Sequence, residues 1–140
     1  NHPEIIVPRS NVSIQVAKPY KELLAHIRQA DLCVALYPDF FWSPWGLHNS
    51  PMKLYEYFSL GKATLTSNLG QMKDLFTGKD VTMLTSNDPR DILRNIQHVK
   101  DNPELRHRLE ENAYKVVQED MNWSNIVNKT LTIFDEVVRR

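Results

Sequence analysis

One stretch of the sequence, from His48 to Tyr57, combines residue types that could bind a phosphate group. Ser50 followed by Pro51 predicts a helix start, because a serine hydroxyl caps free amides and proline fits the first helical position. Free N–H groups and the positive end of the helix dipole make such a start a site for anions. Lys53 would oppose the dipole in the first turn, and a bound anion would reverse that effect.

Glu56 follows Lys53 by three residues and would share its helix face. Lys before Glu is the weaker order for a helix ion pair, so helix stability alone does not explain this placement. Two interpretations follow. Lys53 could meet a diphosphate while the Glu56 carboxylate accepts hydrogen bonds from two neighbouring ribose hydroxyls. Alternatively, the two side chains form a solvated ion pair.

The residues before this stretch predict a crossover of strand, helix and strand. Val12 to Val16 alternates like a strand, and the apolar residues from Tyr20 to about Ala30 recur at helical spacing. Leu32 to Tyr37 is apolar on both faces, as is typical of a central parallel strand. Residues 38–50 then predict a long loop. We therefore expect the motif helix to begin at the carboxyl end of the Leu32 to Tyr37 strand, where open α/β sheets bind ligands.

The residues after the motif extend this α/β pattern. A helix is predicted from Pro51 to about Leu60, with Gly61 ending it in the left-handed conformation. Short β-prone runs at Ala63 to Ser67 and Val81 to Leu84 bring the expected parallel sheet to at least four strands. The remaining pattern is purely helical. Three closing helices are expected, with starts marked by Asp88-Pro89, Asn102-Pro103 and Trp123-Ser124.

Composition and missing motifs narrow the function classes. The 140 residues hold 17 Lys plus Arg and 17 Asp plus Glu, so no overall positive field would attract nucleic acid. The single cysteine, Cys33, allows no internal disulfide, and no apolar run approaches the roughly 20 residues of a membrane span. The histidines have no partners at metal-ligand spacing. We expect no metal, no cofactor, no nucleic-acid partner and no transmembrane segment.

These motifs resemble the group 1 glycosyltransferases of the GT-B fold, often called family 4. The carboxyl-terminal halves of those proteins carry Ser-Pro-x-Lys-x-x-Glu-Tyr followed by Gly-Lys-Pro and a strand. This chain has Ser50-Pro51-Met52-Lys53-Leu54-Tyr55-Glu56-Tyr57 and then Gly61-Lys62-Ala63. Further similarities lie at Pro19-Tyr20-x-Glu22-Leu23, Ala30-Asp31-Leu32, Leu105-Arg106, Asn112-Ala113 and Trp123, so the resemblance covers nearly the whole chain.

The resemblance implies a Rossmann-like parallel sheet flanked by helices, with a helical carboxyl-terminal segment. Residues 1–140 would form part of the domain that binds a nucleotide-diphosphate sugar. The amino-terminal acceptor domain and the first strand-helix unit, with its diphosphate-clamping basic pair, would be absent. The same polypeptide or a separate subunit would supply them, and the fragment alone would be inactive.

The resemblance also implies roles for individual residues. Glu56 would hold the ribose, and Lys53 would supply charge. His48 stands where many members have an acidic residue that touches the donor sugar, so it is the candidate catalytic residue and the sugar stays open. No metal would be required. The complete set of implied donor-binding residues is Asn49, Ser50, Pro51, Met52, Lys53, Leu54 and Glu56.

The implied activity is transfer of a hexosyl or related sugar, with retention, to a glycan, lipid or small-molecule acceptor, as in polysaccharide biosynthesis. We expect a cytoplasmic location, including the cytoplasmic face of a membrane. The alternatives are a noncatalytic nucleotide-sugar-binding or scaffold subunit and a GT-B-type epimerase. Trp123 is expected in core or interdomain packing. The aromatic cluster Phe40, Phe41, Trp42 and Trp45 predicts either an interface or a plug over the sheet.

Overall fold

Helices and parallel strands alternate along the first two thirds of the chain, and helices alone close it. The computed structural model describes residues 11–14, 19–39 and 51–139. In chain order the elements are α1 (Tyr20–Gln29), β1 (Cys33–Ala35), α2 (Met52–Ser59), β2 (Thr64–Ser67), α3 (Gly70–Phe76), β3 (Met83–Thr85), α4 (Pro89–Asp101), α5 (Pro103–Glu119) and α6 (Trp123–Val138).

The described strands form one parallel sheet in the order β1-β2-β3. Cys33 pairs with Thr64 across the first ladder, and Leu65 pairs with Met83 across the second. This confirms the predicted α/β fold. The apolar run at Leu32 to Tyr37 was expected to be the central strand, yet within the described residues β1 pairs on one side only. Of the three described strands the central one is β2, and all four of its residues are buried.

The predicted strand at Val12 to Val16 is wrong over its described part. Residues 12–14 form no strand, and Val12 and Ile14 are exposed. Residues 15–18 lie outside the described ranges. An alternating pattern becomes a strand only when a neighbour pairs with its backbone and covers its apolar face. The described residues therefore hold three strands where at least four were expected.

Helix α2 differs from the prediction at its start and agrees with it at its end. Pro51 is the N-cap residue rather than the first helical residue, because its ψ of 64° is not helical. Ser50, the predicted cap, lies outside the described residues. Gly61 takes the expected left-handed conformation with a φ of 61°. The N–H of Lys62 then donates to the carbonyl of Tyr57, which closes the helix end.

Helix α3 was not predicted from the sequence, where Gly70 and Gly78 stand in the segment between two β-prone runs. Its buried residues Met72 and Phe76 lie four positions apart on one face. The ring of Phe76 meets the ring of Phe58 edge to face, with 5.5 Å between centroids. This contact joins α3 to α2 in the larger apolar cluster, which also contains Leu54.

The three closing helices begin where the sequence predicted. The side chains of Asp88, Asn102 and Asn122 accept hydrogen bonds from backbone N–H groups in the first turns of α4, α5 and α6. Helix α5 packs against α2. It contributes buried residues to the larger apolar cluster and to a second, smaller one. Helix α6 contributes none, since none of its residues is buried. Trp123 is 80 % exposed in the described structure, so it is not part of the core, and interdomain packing, the other expectation for it, stays a prediction.

Candidate functional site

Helix α2 begins at the carboxyl edge of the sheet. Four residues separate its end at Ser59 from Thr64, the first residue of β2. The helix therefore ends near the amino-terminal end of β2 and runs opposite to this strand. Its eight residues span about 12 Å, so its first residue lies near the carboxyl-terminal end of β2. Burial raises the pKa of Tyr37, which follows β1, and the nearby Tyr55 phenol raises it further. Leu54, in the first half of α2, belongs to the same apolar cluster as Ala35, the last residue of β1, and Tyr37 packs against this cluster. The first half of α2 thus lies beside the end of β1, as predicted.

The start of α2 presents amide groups without helical acceptors. The Pro51 carbonyl accepts from the N–H of Leu54 at 2.8 Å and from the N–H of Tyr55 at 3.3 Å. The N–H groups of Met52 and Lys53 precede these bonds, so no carbonyl inside the helix can accept from them. They stand at the positive end of the helix dipole, where an oxyanion is favoured.

Lys53 and Glu56 lie near this start without forming the ion pair that one interpretation required. Lys53 is exposed and Glu56 is half-buried. Among the described residues, neither side chain forms a salt bridge within 4.0 Å. The Glu56 carboxylate is close enough to Tyr57 to add to the rise in that phenol's pKa, after burial and Cys33. Neither charge is therefore neutralised by an ion pair with a described residue.

The other candidate residues occupy different positions in this part of the chain. Pro51 and Leu54 are buried, and Leu54 packs in the larger apolar cluster, so both anchor the helix. Met52 is exposed beside Lys53. His48, Asn49 and Ser50 lie outside the described residues, as does the aromatic cluster at residues 40–45. The donor contacts of all these residues stay predictions.

Comparison with known proteins identifies the family. Residues 7–132 match a family described as glycosyl transferase-like. The chain belongs to this family. No curated protein matches the sequence of this glycosyltransferase-like domain.

A solved structure with the same fold is sucrose-phosphate synthase from Thermosynechococcus elongatus. It superposes on this glycosyltransferase-like domain with a TM-score of 0.63 and 17% sequence identity. The match covers 86% of this chain and 28% of the synthase chain. The fold is therefore the Rossmann-like fold of a GT-B glycosyltransferase, and the domain spans less than a third of the synthase.

A polar cluster that the sequence did not predict lies at the same edge of this domain. Ser67 ends β2, while Tyr37 and Asn87 each stand two residues beyond β1 and β3. The three residues are joined by hydrogen bonds, and we call them the carboxyl-edge network. A usable signal was present, since small polar residues directly after parallel strands converge at one edge of a sheet.

Within the described residues, no three or more His, Cys, Asp and Glu side chains are grouped so that they could hold a metal ion. None of the helices there has both the length and the apolar character to cross a membrane.

Proposed function

We propose that this domain binds the nucleotide-diphosphate part of a sugar donor at the start of α2, and that the sugar passes to an acceptor hydroxyl with retention and without a metal. One observation supports this most strongly. An exposed lysine and two amides without helical acceptors lie at the start of α2, near the carboxyl edge of a parallel sheet, and Lys53 forms no ion pair with the described residues.

The donor diphosphate lies against the N–H groups of Met52 and Lys53 and against the Lys53 ammonium. Negative charge builds on this diphosphate as the bond to the sugar breaks. Oriented amides, the helix dipole and a fixed cation stabilise that charge without reorganising, which is a large source of catalysis in enzymes generally. The leaving group is thereby stabilised without a metal ion.

Glu56 holds the ribose of the donor one turn deeper along the helix. A carboxylate that accepts hydrogen bonds from two vicinal hydroxyls orients the nucleoside firmly. The absence of an ion pair from Glu56 to any described residue supports this role. Next to the diphosphate, Asn49 and Ser50 complete the donor contacts, and His48 contacts the sugar.

The acceptor is bound by a second half, carried on the same polypeptide or on a separate subunit. Two observations support this. The matched part of the synthase chain is 28% of its length. Helix α6 exposes a row of large apolar side chains that nothing in the described structure covers: Trp123, Ile126, Val127, Leu131, Ile133, Phe134, Val137 and Val138. The complete protein acts in the cytoplasm or at its membrane face, in polysaccharide biosynthesis or a related pathway.

Calorimetric titration of the chain with UDP, GDP and ADP, each beside its nucleoside, tests the proposal. Lys53→Ala should weaken binding of the preferred diphosphate by about 10- to 100-fold, because it removes a charge-assisted contact worth about 1.5–3 kcal/mol. Binding of the nucleoside should hardly change. Lys79→Ala is the matched control, since Lys79 is also exposed but lies in the turn that leads into β3. Equal effects of the two substitutions, or no binding by the wild-type chain, would refute the donor site.

A further inference from the structure

We infer that Ser67 and Asn87 are positioning residues for the donor site and that they act through Tyr37. The inference rests on the proposed function and adds two residues that contact no part of the donor. It follows from a hydrogen-bonded network that joins the carboxyl ends of all three described strands.

Each member of the carboxyl-edge network both donates and accepts. The backbone N–H of Tyr37 donates to Ser67 Oγ at 2.9 Å. The Ser67 hydroxyl lies 2.8 Å from Asn87 Oδ1 and 3.2 Å from the Tyr37 carbonyl, and its single hydrogen is donated to the nearer Asn87 Oδ1. Asn87 Nδ2 donates to the Tyr37 carbonyl at 2.8 Å. The network is closed, so the backbone of Tyr37 is held at both its N–H and its carbonyl.

The burial of Ser67 makes these bonds obligatory. Its exposed fraction is 0%. A buried hydroxyl or amide without a partner is costly, so Ser67 and the Tyr37 N–H depend on each other. The ladder between β1 and β2 already ends at Ala35 and Thr66. The network therefore fixes the backbone beyond the point where strand pairing stops.

Tyr37 carries this constraint to α2. Its side chain packs against the larger apolar cluster, to which α2 contributes Leu54 and Phe58. Lys53 precedes Leu54 directly in the first turn of the helix. A shift of Tyr37 would therefore change the support beneath the helix start, where Lys53 and the amides of Met52 and Lys53 meet the diphosphate.

Breaking the carboxyl-edge network should lower the affinity for a nucleoside diphosphate, although neither substituted residue contacts the donor. Hydrogen bonds weaken steeply as their distance and angle depart from the best geometry. Misplacement by about 1 Å through a remote substitution can cost about a hundredfold in activity. For a partial shift we expect nucleoside diphosphate affinity to fall by about tenfold when the network is broken.

The test compares Ser67→Ala, Asn87→Leu and the double variant in the full chain. Asn87→Leu removes both amide contacts without adding charge near the diphosphate. Thr82→Val is the matched control, because the Thr82 hydroxyl also donates a buried hydrogen bond, to the Thr64 carbonyl at 2.8 Å, beside the amino-terminal end of β2. Melting temperature and affinity for UDP, GDP or ADP, whichever binds best, are measured for each.

We expect every variant to melt at a lower temperature but only the network variants to lose affinity. Ser67→Ala should be the stronger single variant, because after Asn87→Leu the Ser67 hydroxyl can still donate to the Tyr37 carbonyl 3.2 Å away. The double variant should lose no more affinity than Ser67→Ala, because the two residues act on the same Tyr37 backbone. Unchanged affinity in the network variants, an equal loss in Thr82→Val, or additive losses would overturn the inference and leave the donor site standing. If the wild-type chain binds none of the three nucleotides, the proposed function fails and the inference fails with it.

Discussion

Replacing Glu56 with glutamine isolates the contribution of one carboxylate to nucleotide binding. The amide has the shape of the carboxylate, but its nitrogen cannot accept a hydrogen bond, so one of two contacts to the ribose hydroxyls is lost. A hydrogen bond to a charged group contributes about 1.5–3 kcal/mol, which corresponds to about a 10- to 100-fold loss in affinity. The fold should tolerate the change, since Glu56 forms no salt bridge with the described residues.

Two measurements distinguish the loss of one contact to the ribose from a general loss of structure. Calorimetry with a nucleoside diphosphate and its 2′,3′-dideoxy analogue should show the loss for the first ligand only. Ultraviolet titration should show the pKa of Tyr57 moving down towards its ordinary value, because the Glu56 charge contributes to its rise. Equal losses for both ligands, or an unchanged affinity for the ribonucleotide, would refute the assignment of Glu56 to the ribose.

Three further predictions concern stability and association. Gly61→Ala should lower the free energy of unfolding by about 1–2 kcal/mol in denaturant titration, because an alanine at a φ of 61° is strained; a neutral result would contradict this. Changing both Leu131 and Phe134 to aspartate should leave the melting temperature of the chain nearly unchanged, since both are exposed, but should abolish co-purification with the acceptor half. Hydrogen bonds from Arg90 lower the pKa of Asp88, so the ionised Asp88 carboxylate stabilises the folded chain. This contribution is present above the ordinary pKa of 3.8 and is lost as the pH falls through the lowered pKa. Asp88→Asn should make the free energy of unfolding less dependent on pH in acid, and an unchanged pH dependence would refute the contribution of Asp88.

Features set by a few neighbouring residues were predictable from the sequence. Asp88 and Asn102 cap helices through bonds to amides two or three residues away, and each is followed by proline. Gly61 ends α2 because its local conformation requires glycine. Lys53 and Glu56 could be proposed as a pair because both lie on one short helix.

Features that depend on distant partners were not predictable. The central position of β2 follows from what pairs on its two sides, and nothing in Thr64–Ser67 alone reveals those neighbours. The bonds of the carboxyl-edge network join residues 20 to 50 positions apart in the sequence. Helix α6 has an apolar face suited to packing, yet the periodicity cannot reveal that no described residue buries this face.

The most direct test of the donor site is a map of where a nucleoside diphosphate binds. Nuclear magnetic resonance spectra of the labelled chain, titrated with UDP, GDP and ADP, report each backbone amide separately. We predict that the preferred nucleotide moves the Met52 and Lys53 amide signals most and leaves α6 unchanged. Largest shifts in α6 or at the amino-terminal edge of the sheet, or no shifts with any of the three nucleotides, would contradict the account.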